Sequence, residues 1–299
     1  MKANARVAST WHAIIAVVLI LLPAAARLPA ADKLKPEQLV DLHLKSLGAP
    51  EALVALNSRM YRGQGIFRAV IGGQGQVAGA VFEASNRKTL SFRFDTGSNA
   101  SYYGEHLIFD GGEAKIFQGF QNGRSTLGEF VKANDTVLKE GLLGGATSVA
   151  WPLLAMTERA PRLKYAGLKK VDGVELHRLD YRPKKGGGSL KIELFFEPET
   201  YRHVRTDYSY SIPGGVGRGG PDSSADVQPT YITVTETFWN FQPVDGLTIP
   251  ANWKIMYNRT NQGTGPGSIV HEWEIAFSTV VNNETIEPSY YQPGAKAQE

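Results

Sequence analysis

The feature that most constrains the fold is an alternation of apolar and polar side chains, with a period of two, that starts at Ser58 and recurs almost to the end of the chain. Leu90, Phe92 and Phe94 alternate with Ser91, Arg93 and Asp95. Leu190, Ile192, Leu194 and Phe196 alternate with Lys191, Glu193 and Glu197, Phe195 being the one exception. Val204, Thr206, Tyr208, Tyr210 and Ile212 repeat the pattern, as do the series from Leu247 to Tyr257 and from Ile269 to Phe277. Each describes a strand with one face on a core and the other in water. The intervening segments carry turn chemistry. Asp172-Gly173 sits between Val171 and Val174, and Gly72-Gly73, Asp110-Gly111-Gly112, Gly186-Gly187-Gly188, Pro198-Glu199 and Asp245-Gly246 punctuate the rest. Sequential hairpins of this kind predict a mainly β protein: about eleven or twelve strands in a curved antiparallel sheet forming a half-open barrel.

Helical spacing interrupts the alternation in two places. Pro36, Glu37 and Gly48 bracket a stripe of Leu39, Leu44 and Leu47 with Val40 or His43, so a helix is expected there, followed by a second opened by Pro50 and Glu51. Mid-chain, residues 126–141 read as a helix with Leu127, Phe130, Val131 and Leu138 apolar. Leu142-Leu143-Gly144-Gly145-Ala146 then leads into Trp151-Pro152-Leu153-Leu154. N-terminal and mid-chain helices are therefore expected to cover the sheet.

Lys2 and Arg6, the apolar run from Ala13 to Leu22 and the small residues Ala24–Ala26 form the three parts of a cleavable export signal. Residues 1–31 are read as that signal, with cleavage near 26–31. Residues 32–293 are read as a single β domain and 294–299 as a disordered tail. The expected location is the periplasm, soluble after cleavage. The formal charge is +3, but of 32 basic residues two leave with residues 1–26, against 29 acidic residues, so the mature chain is nearly neutral. No Lys/Arg stripe has the density of a phosphate-binding surface, and no nucleic-acid partner is expected. The chain has no cysteine, which excludes disulfides, a catalytic thiol, thiolate-held metal and a lipid-bearing cysteine.

Motif searching yields little catalytic signal. The histidines lack metal-ligand spacing; His271 and Glu272 point to opposite faces of a strand, so no metal site is expected. Gly215-Val216-Gly217-Arg218-Gly219-Gly220 has no helix after it to receive a pyrophosphate. Ser85-Asn86-Arg87-Lys88 satisfies S-x-x-K without the partner elements that chemistry needs. Glu193, Glu197 and Glu236 fall on strand faces, where solvation is the ordinary explanation. No cofactor is expected, and the chain is read as a binding protein and not an enzyme. The 13 Phe, 12 Tyr and 5 Trp carry more signal. Any one of them is most simply core, but a barrel of this size has an interior that its own side chains need not fill. The candidate site is a greasy cavity lined by Phe92 and Phe94 and closed by Leu142, Leu143, Trp151, Leu153 and Leu154, with Gly141, Gly144 and Gly145 as hinges.

The order of elements, with Asp172-Gly173-Val174-Glu175-Leu176-His177-Arg178-Leu179-Asp180-Tyr181, Leu194–Thr200, and the closing Ile275–Asn282 before Tyr290-Tyr291-Gln292-Pro293, resembles the outer-membrane lipoprotein-sorting superfamily, the periplasmic lipoprotein carriers and their relatives. The resemblance implies a half-open barrel that holds lipid or acyl groups under a helical lid. The ligand it implies is a lipid or the acyl chains of a lipoprotein, with an inner- or outer-membrane partner protein. The absence of cysteine is similar to the soluble carrier. No position of the sequence is matched to the family's lid-locking arginine, and the chain is longer than a typical carrier, notably at 213–228. Two alternatives remain open: an envelope-stress lipid sensor regulating a membrane partner, and an envelope hydrolase.

Overall fold

A computed structural model of the chain describes residues 34–97, 99, 101–117, 123–213, 229–261 and 267–292. The segments read as an export signal (1–31) and a tail (294–299), and all but the first residue of the 213–228 loop, lie outside the described residues.

Alternation resolves into strands β1 (Ser58–Ile71), β2 (Gln76–Asn86), β3 (Leu90–Asp95), β4 (Glu105–Phe109), β5 (Ala114–Ile116), β6 (Arg162–Val171), β7 (Val174–Arg182), β8 (Lys191–Phe196), β9 (His203–Ile212), β10 (Thr230–Val244), β11 (Leu247–Asn261) and β12 (Ile269–Asn282). They form one antiparallel sheet of twelve strands, in the order β5-β4-β3-β2-β1-β12-β11-β10-β9-β8-β7-β6. The first and last strands pair along most of their length, from Arg59 opposite Asn282 to Ile71 opposite Val270. The free edges are β5 and β6, which are consecutive in the chain. The sheet is curved and not closed into a barrel, and the segment between those edges contains the mid-chain insertion, residues 123–161.

The turns follow from their residues. Asp172 and Gly173 both take positive φ (49° and 89°) with Val171 paired to Val174, and Asp245 and Gly246 do the same (50° and 77°) between Val244 and Leu247. These are the conformations whose twist matches the flanking strands. The helix α1 (Pro36–Leu47) buries Leu39, Val40, His43 and Leu47; of the stripe expected from its spacing, Leu44 is only half-buried, and Val40 and His43 both face the core. The short α2 (Pro50–Ala55) follows it.

The mid-chain helix expected over 126–141 is broken in two, α3 (Thr126–Ala133) and α4 (Thr136–Lys139). Asn134 leaves helical geometry (φ −131°, ψ 57°), and both its backbone N–H and its Nδ2 donate to the Phe130 carbonyl at 3.0 Å. A short amide side chain that bonds the preceding turn ends a helix in this way. Two 3₁₀ turns at Gly145–Thr147 and Pro152–Ala155 and the short α5 (Met156–Arg159) complete the insertion. The strand read from Val204 also shifts. A bulge near Phe196 places His203 opposite Phe196, so His203 and not Val204 is buried.

One core collects the inward side chains of nearly every strand together with α1 and the insertion. The opposite face of the sheet is polar and carries ion-pair ladders, Arg68 with Glu272 and Glu274, and Arg178 and Lys191 with Glu193. Glu193, read as solvated, is buried between those cations and the aromatic Phe195 beside it is buried as well. A carboxylate is tolerated at such a depth because its charge is matched.

Candidate functional site

The inward positions of the sheet are not all apolar. On β10 the inward series runs Ile232, Val234, Glu236, Phe238; on β2 it includes Val81, Glu83 and Ser85; on β1 it begins Arg59, Tyr61. Strand pairing brings Arg59 opposite Ser85 and Tyr61 opposite Glu83. Arg59, Glu83, Ser85 and Glu236 are each no more than 2% exposed. Glu236, read from sequence as solvated, is in fact fully buried. A carboxylate in phase with apolar neighbours must either find partners or stay protonated.

These groups converge on one stretch of the insertion. Arg59 Nη1 donates to the carbonyls of Ala146 and Thr147 at 3.0 and 3.2 Å, while its Nε donates to Asn282 Oδ1 at 2.8 Å. The Gly144 N–H donates to Glu236 Oε1 at 2.8 Å, and Tyr208 donates its hydroxyl proton to the other oxygen at 2.7 Å. Thr147 Oγ1 lies 2.9 Å from Glu83 Oε2 and 2.8 Å from the Gly144 carbonyl. The Val149 N–H donates to Ser85 Oγ at 3.0 Å, which gives the serine of the S-x-x-K run a structural role. Trp151 Nε1 donates to His43 Nε2 at 3.1 Å, and His43 Nδ1 meets the Tyr201 carbonyl at 3.2 Å. A carbonyl only accepts, so Nδ1 carries the proton and Nε2 is the bare acceptor that the indole requires.

Glycine is demanded here for geometric reasons. Gly144 and Gly145 both have positive φ (81° and 53°), and a Cβ at Gly145 would come within 2.8 Å of the His203 ring. The segment therefore fits the sheet only with its backbone pressed against buried side chains.

Burial sets the protonation. It pushes Glu83 up to about 8, opposed by the Thr147 hydrogen bond and the Arg59 charge. It pushes Glu236 up to about 7, against the hydrogen bonds from Tyr208 and Gly144. The Thr147 hydroxyl faces two acceptors, the Glu83 carboxyl group and the Gly144 carbonyl. Burial lowers His43 to about 4, and burial together with the nearby His43 holds His203 well below the imidazole range. A second buried chain runs from Trp273 Nε1 to the Tyr102 hydroxyl at 2.6 Å and from that hydroxyl to Glu105 Oε1 at 2.7 Å. Burial pushes Glu105 up to about 7.

Of the seven residues named from sequence, six belong to the one hydrophobic core and Leu154 packs against it. Phe92 and Phe94 face inward on β3, and Phe92 meets Trp253 edge to face at 5.0 Å between ring centroids. Leu142, Leu143, Trp151 and Leu153 are buried in the same core, and Leu154 packs at its margin. Arg59, Glu83, Glu236 and His43 were not found by sequence reasoning. Their only signal was phase, a polar residue standing where the alternation or the helical stripe calls for an apolar one. Among the described residues no group of three or more His, Cys, Asp or Glu gathers as a metal would require, and no helix is long and apolar enough to cross a membrane.

No family model matches the chain, and no curated protein matches it. Solved structures do. The fold is similar to that of a LolA superfamily protein from Nitrosomonas europaea (9% identity, 86% of this chain and 97% of that one, TM-score 0.45). It is similar to a putative outer membrane lipoprotein-sorting protein domain from Vibrio parahaemolyticus (12% identity, 84% and 95%, TM-score 0.43). It is also similar to a DUF1329 family protein from Desulfovibrio piger (10% identity, 87% and 98%, TM-score 0.42).

Proposed function

We propose that this chain is a periplasmic binding or carrier protein for a lipid-like or acylated ligand, and that the insertion is a lid occupying the ligand's place when none is bound. The observation that carries the reading is the latch. A segment meant only to fill a core is held at least cost by apolar packing. Here a buried guanidinium and the Glu236 carboxyl group grip the backbone of 144–147, the Glu83 carboxyl group takes the Thr147 hydroxyl, and an imidazole takes the indole of Trp151. Buried polar networks of this kind fix one arrangement more than they add stability. When the segment leaves, it uncovers an inner wall rich in Phe, Trp and Leu, the lining an acyl chain needs. Arg59 fills the part of the lid-locking arginine that the resemblance calls for. Lipoprotein sorting is one use such a carrier would have.

The test is titration of an environment-sensitive fatty-acid probe into the wild type and a Leu143→Ala/Trp151→Ala variant. Saturable binding by the wild type, altered in the variant, is expected. Saturable binding by neither protein contradicts the carrier reading. The hydrolase reading draws on the same two carboxyl groups, Glu83 and Glu236, which burial raises above the ordinary carboxylate range. Both are engaged by the chain's own insertion, so binding is the reading adopted.

A further inference from the structure

Outside the core, two clefts meet at one residue. The first, about 350 Å³, is lined by Arg87, Lys88, Arg159, Lys184 and Lys185. Two carboxylates, Glu140 and Glu158, also face it, so five cations stand against two acids. Glu140 is already engaged, accepting the Tyr181 hydroxyl at 2.7 Å. None of the five cations is ion-paired among the described residues, whereas Arg68, Arg93, Arg178 and Arg205 of the sheet are. The second cleft, about 330 Å³, runs between α1 and α2 and is lined by Leu44, Pro50, Leu53, Val54 and Leu154, with Asp41 and Lys45 at its rim. Val54 is 75% exposed, the most exposed large apolar side chain among the described residues.

Arg87 lines both clefts. Its position is fixed from behind, because Nη2 donates to the carbonyls of Leu53, Val54 and Leu56 at 3.2, 3.2 and 3.0 Å. Arg159 is fixed in the same way by the Lys139 carbonyl at 2.6 Å. The result is an apolar groove ending on a cationic one, and the apolar end reaches Leu154, which belongs to the insertion.

We propose that these joined clefts are an external docking site for a phosphate-headed lipid at a membrane surface. The anionic headgroup lies among Arg87, Lys184 and Lys185, and the first part of an acyl chain lies along Leu44, Leu53 and Val54 beside Leu154. The charge is complementary to a phosphodiester and the groove to a hydrocarbon, a pairing that neither a free anion nor a neutral lipid satisfies. The inference rests on the carrier reading, and it gives that carrier a place to meet the bilayer next to its lid.

The test is co-sedimentation of the full mature chain with vesicles of mixed phosphatidylglycerol and phosphatidylcholine, against vesicles of phosphatidylcholine alone. Binding is expected only to the mixed vesicles and is expected to fall as salt is raised. Lys184→Gln/Lys185→Gln is expected to weaken it about fivefold for each lysine removed. Val54→Asp is expected to weaken it as well, and inorganic phosphate is expected not to displace the protein. Both substitutions are at exposed positions, and an unchanged thermal midpoint confirms the fold. Equal binding to both vesicles, no effect of the lysine variant, or displacement by millimolar phosphate would each overturn the proposal. The fatty-acid probe separates the two readings. Intact uptake by variants alongside vesicle binding that ignores them sinks the docking site alone; vesicle binding without saturable uptake sinks the carrier.

Discussion

The two halves of the insertion are held to the same sheet by different physics. Residues 126–139 are held by apolar burial, with Leu127, Phe130, Val131, Val137 and Leu138 each 0–2% exposed, and by few directional contacts, such as Thr126 Oγ1 with His271 Nδ1 at 2.9 Å. Residues 142–151 are just as buried, yet nearly every turn of them is also addressed by a polar side chain of the sheet or of α1. Apolar packing accepts any partner of suitable shape, whereas a latch of donors and acceptors accepts one segment in one pose. The first half is a plug and the second a catch, the pair of devices that the proposed opening along a defined path calls for.

Variants should separate them. Phe130→Ala is expected to cost about 3–5 kcal/mol in urea unfolding, as loss of a fully buried ring does. A loss under about 1 kcal/mol would mean that the plug is loosely packed. Arg59→Met is expected to cost about 2–3 kcal/mol, since two buried carbonyls and Asn282 lose a charged donor. It is also expected to raise the apparent affinity for the fatty-acid probe by freeing the catch, and unchanged affinity would break the distinction drawn here. Trp151→Phe keeps most of the burial and removes only the N–H to His43, so about 1 kcal/mol is expected.

The strands were legible in the sequence because most alternate apolar with polar residues, and a period of two reports that directly, even where β8 buries both faces. So were the Asp-Gly hairpins, whose residues select their own dihedral angles, and the apolar composition of the insertion. The catch was not legible. Thr147 finds Glu83 across 64 residues of chain, Gly144 finds Glu236 across 92, and Trp151 finds His43 across 108. Sequence alone leaves a strand carboxylate looking solvated because its partner is named only by the fold. Glu236 between Val234 and Phe238 was the clue, since it stood in phase with residues that face inward. The break at Asn134 was hidden for a related reason, in that helix propensity is a weaker signal than one local side-chain bond.

A separate effect is expected on pH dependence, and Glu83→Gln isolates the part that belongs to the catch. Glu83 and Glu236 are raised from an ordinary value of 4.5 to about 8 and about 7. Their stabilisation is full below the unfolded value and is lost as pH rises through the folded ones. His43 is lowered from 6.5 to about 4, so its contribution is full above 6.5 and is lost as pH falls toward 4. Between 6.5 and 8 the raised carboxyl groups change, Glu105 of the second buried chain among them, and stability is expected to decline there. Glu83→Gln should flatten that decline in urea midpoints taken across the range, and an unaltered slope would remove Glu83 from the catch.

Amide hydrogen exchange with and without a saturating long-chain fatty acid tests the central claim most directly. The expected result is faster exchange at Gly144, Thr147 and Val149 on binding, with the strand amides of β1, β2 and β10 still protected. Saturable binding that leaves the protection of 144–149 unchanged would contradict the claim that the ligand takes the place of the insertion.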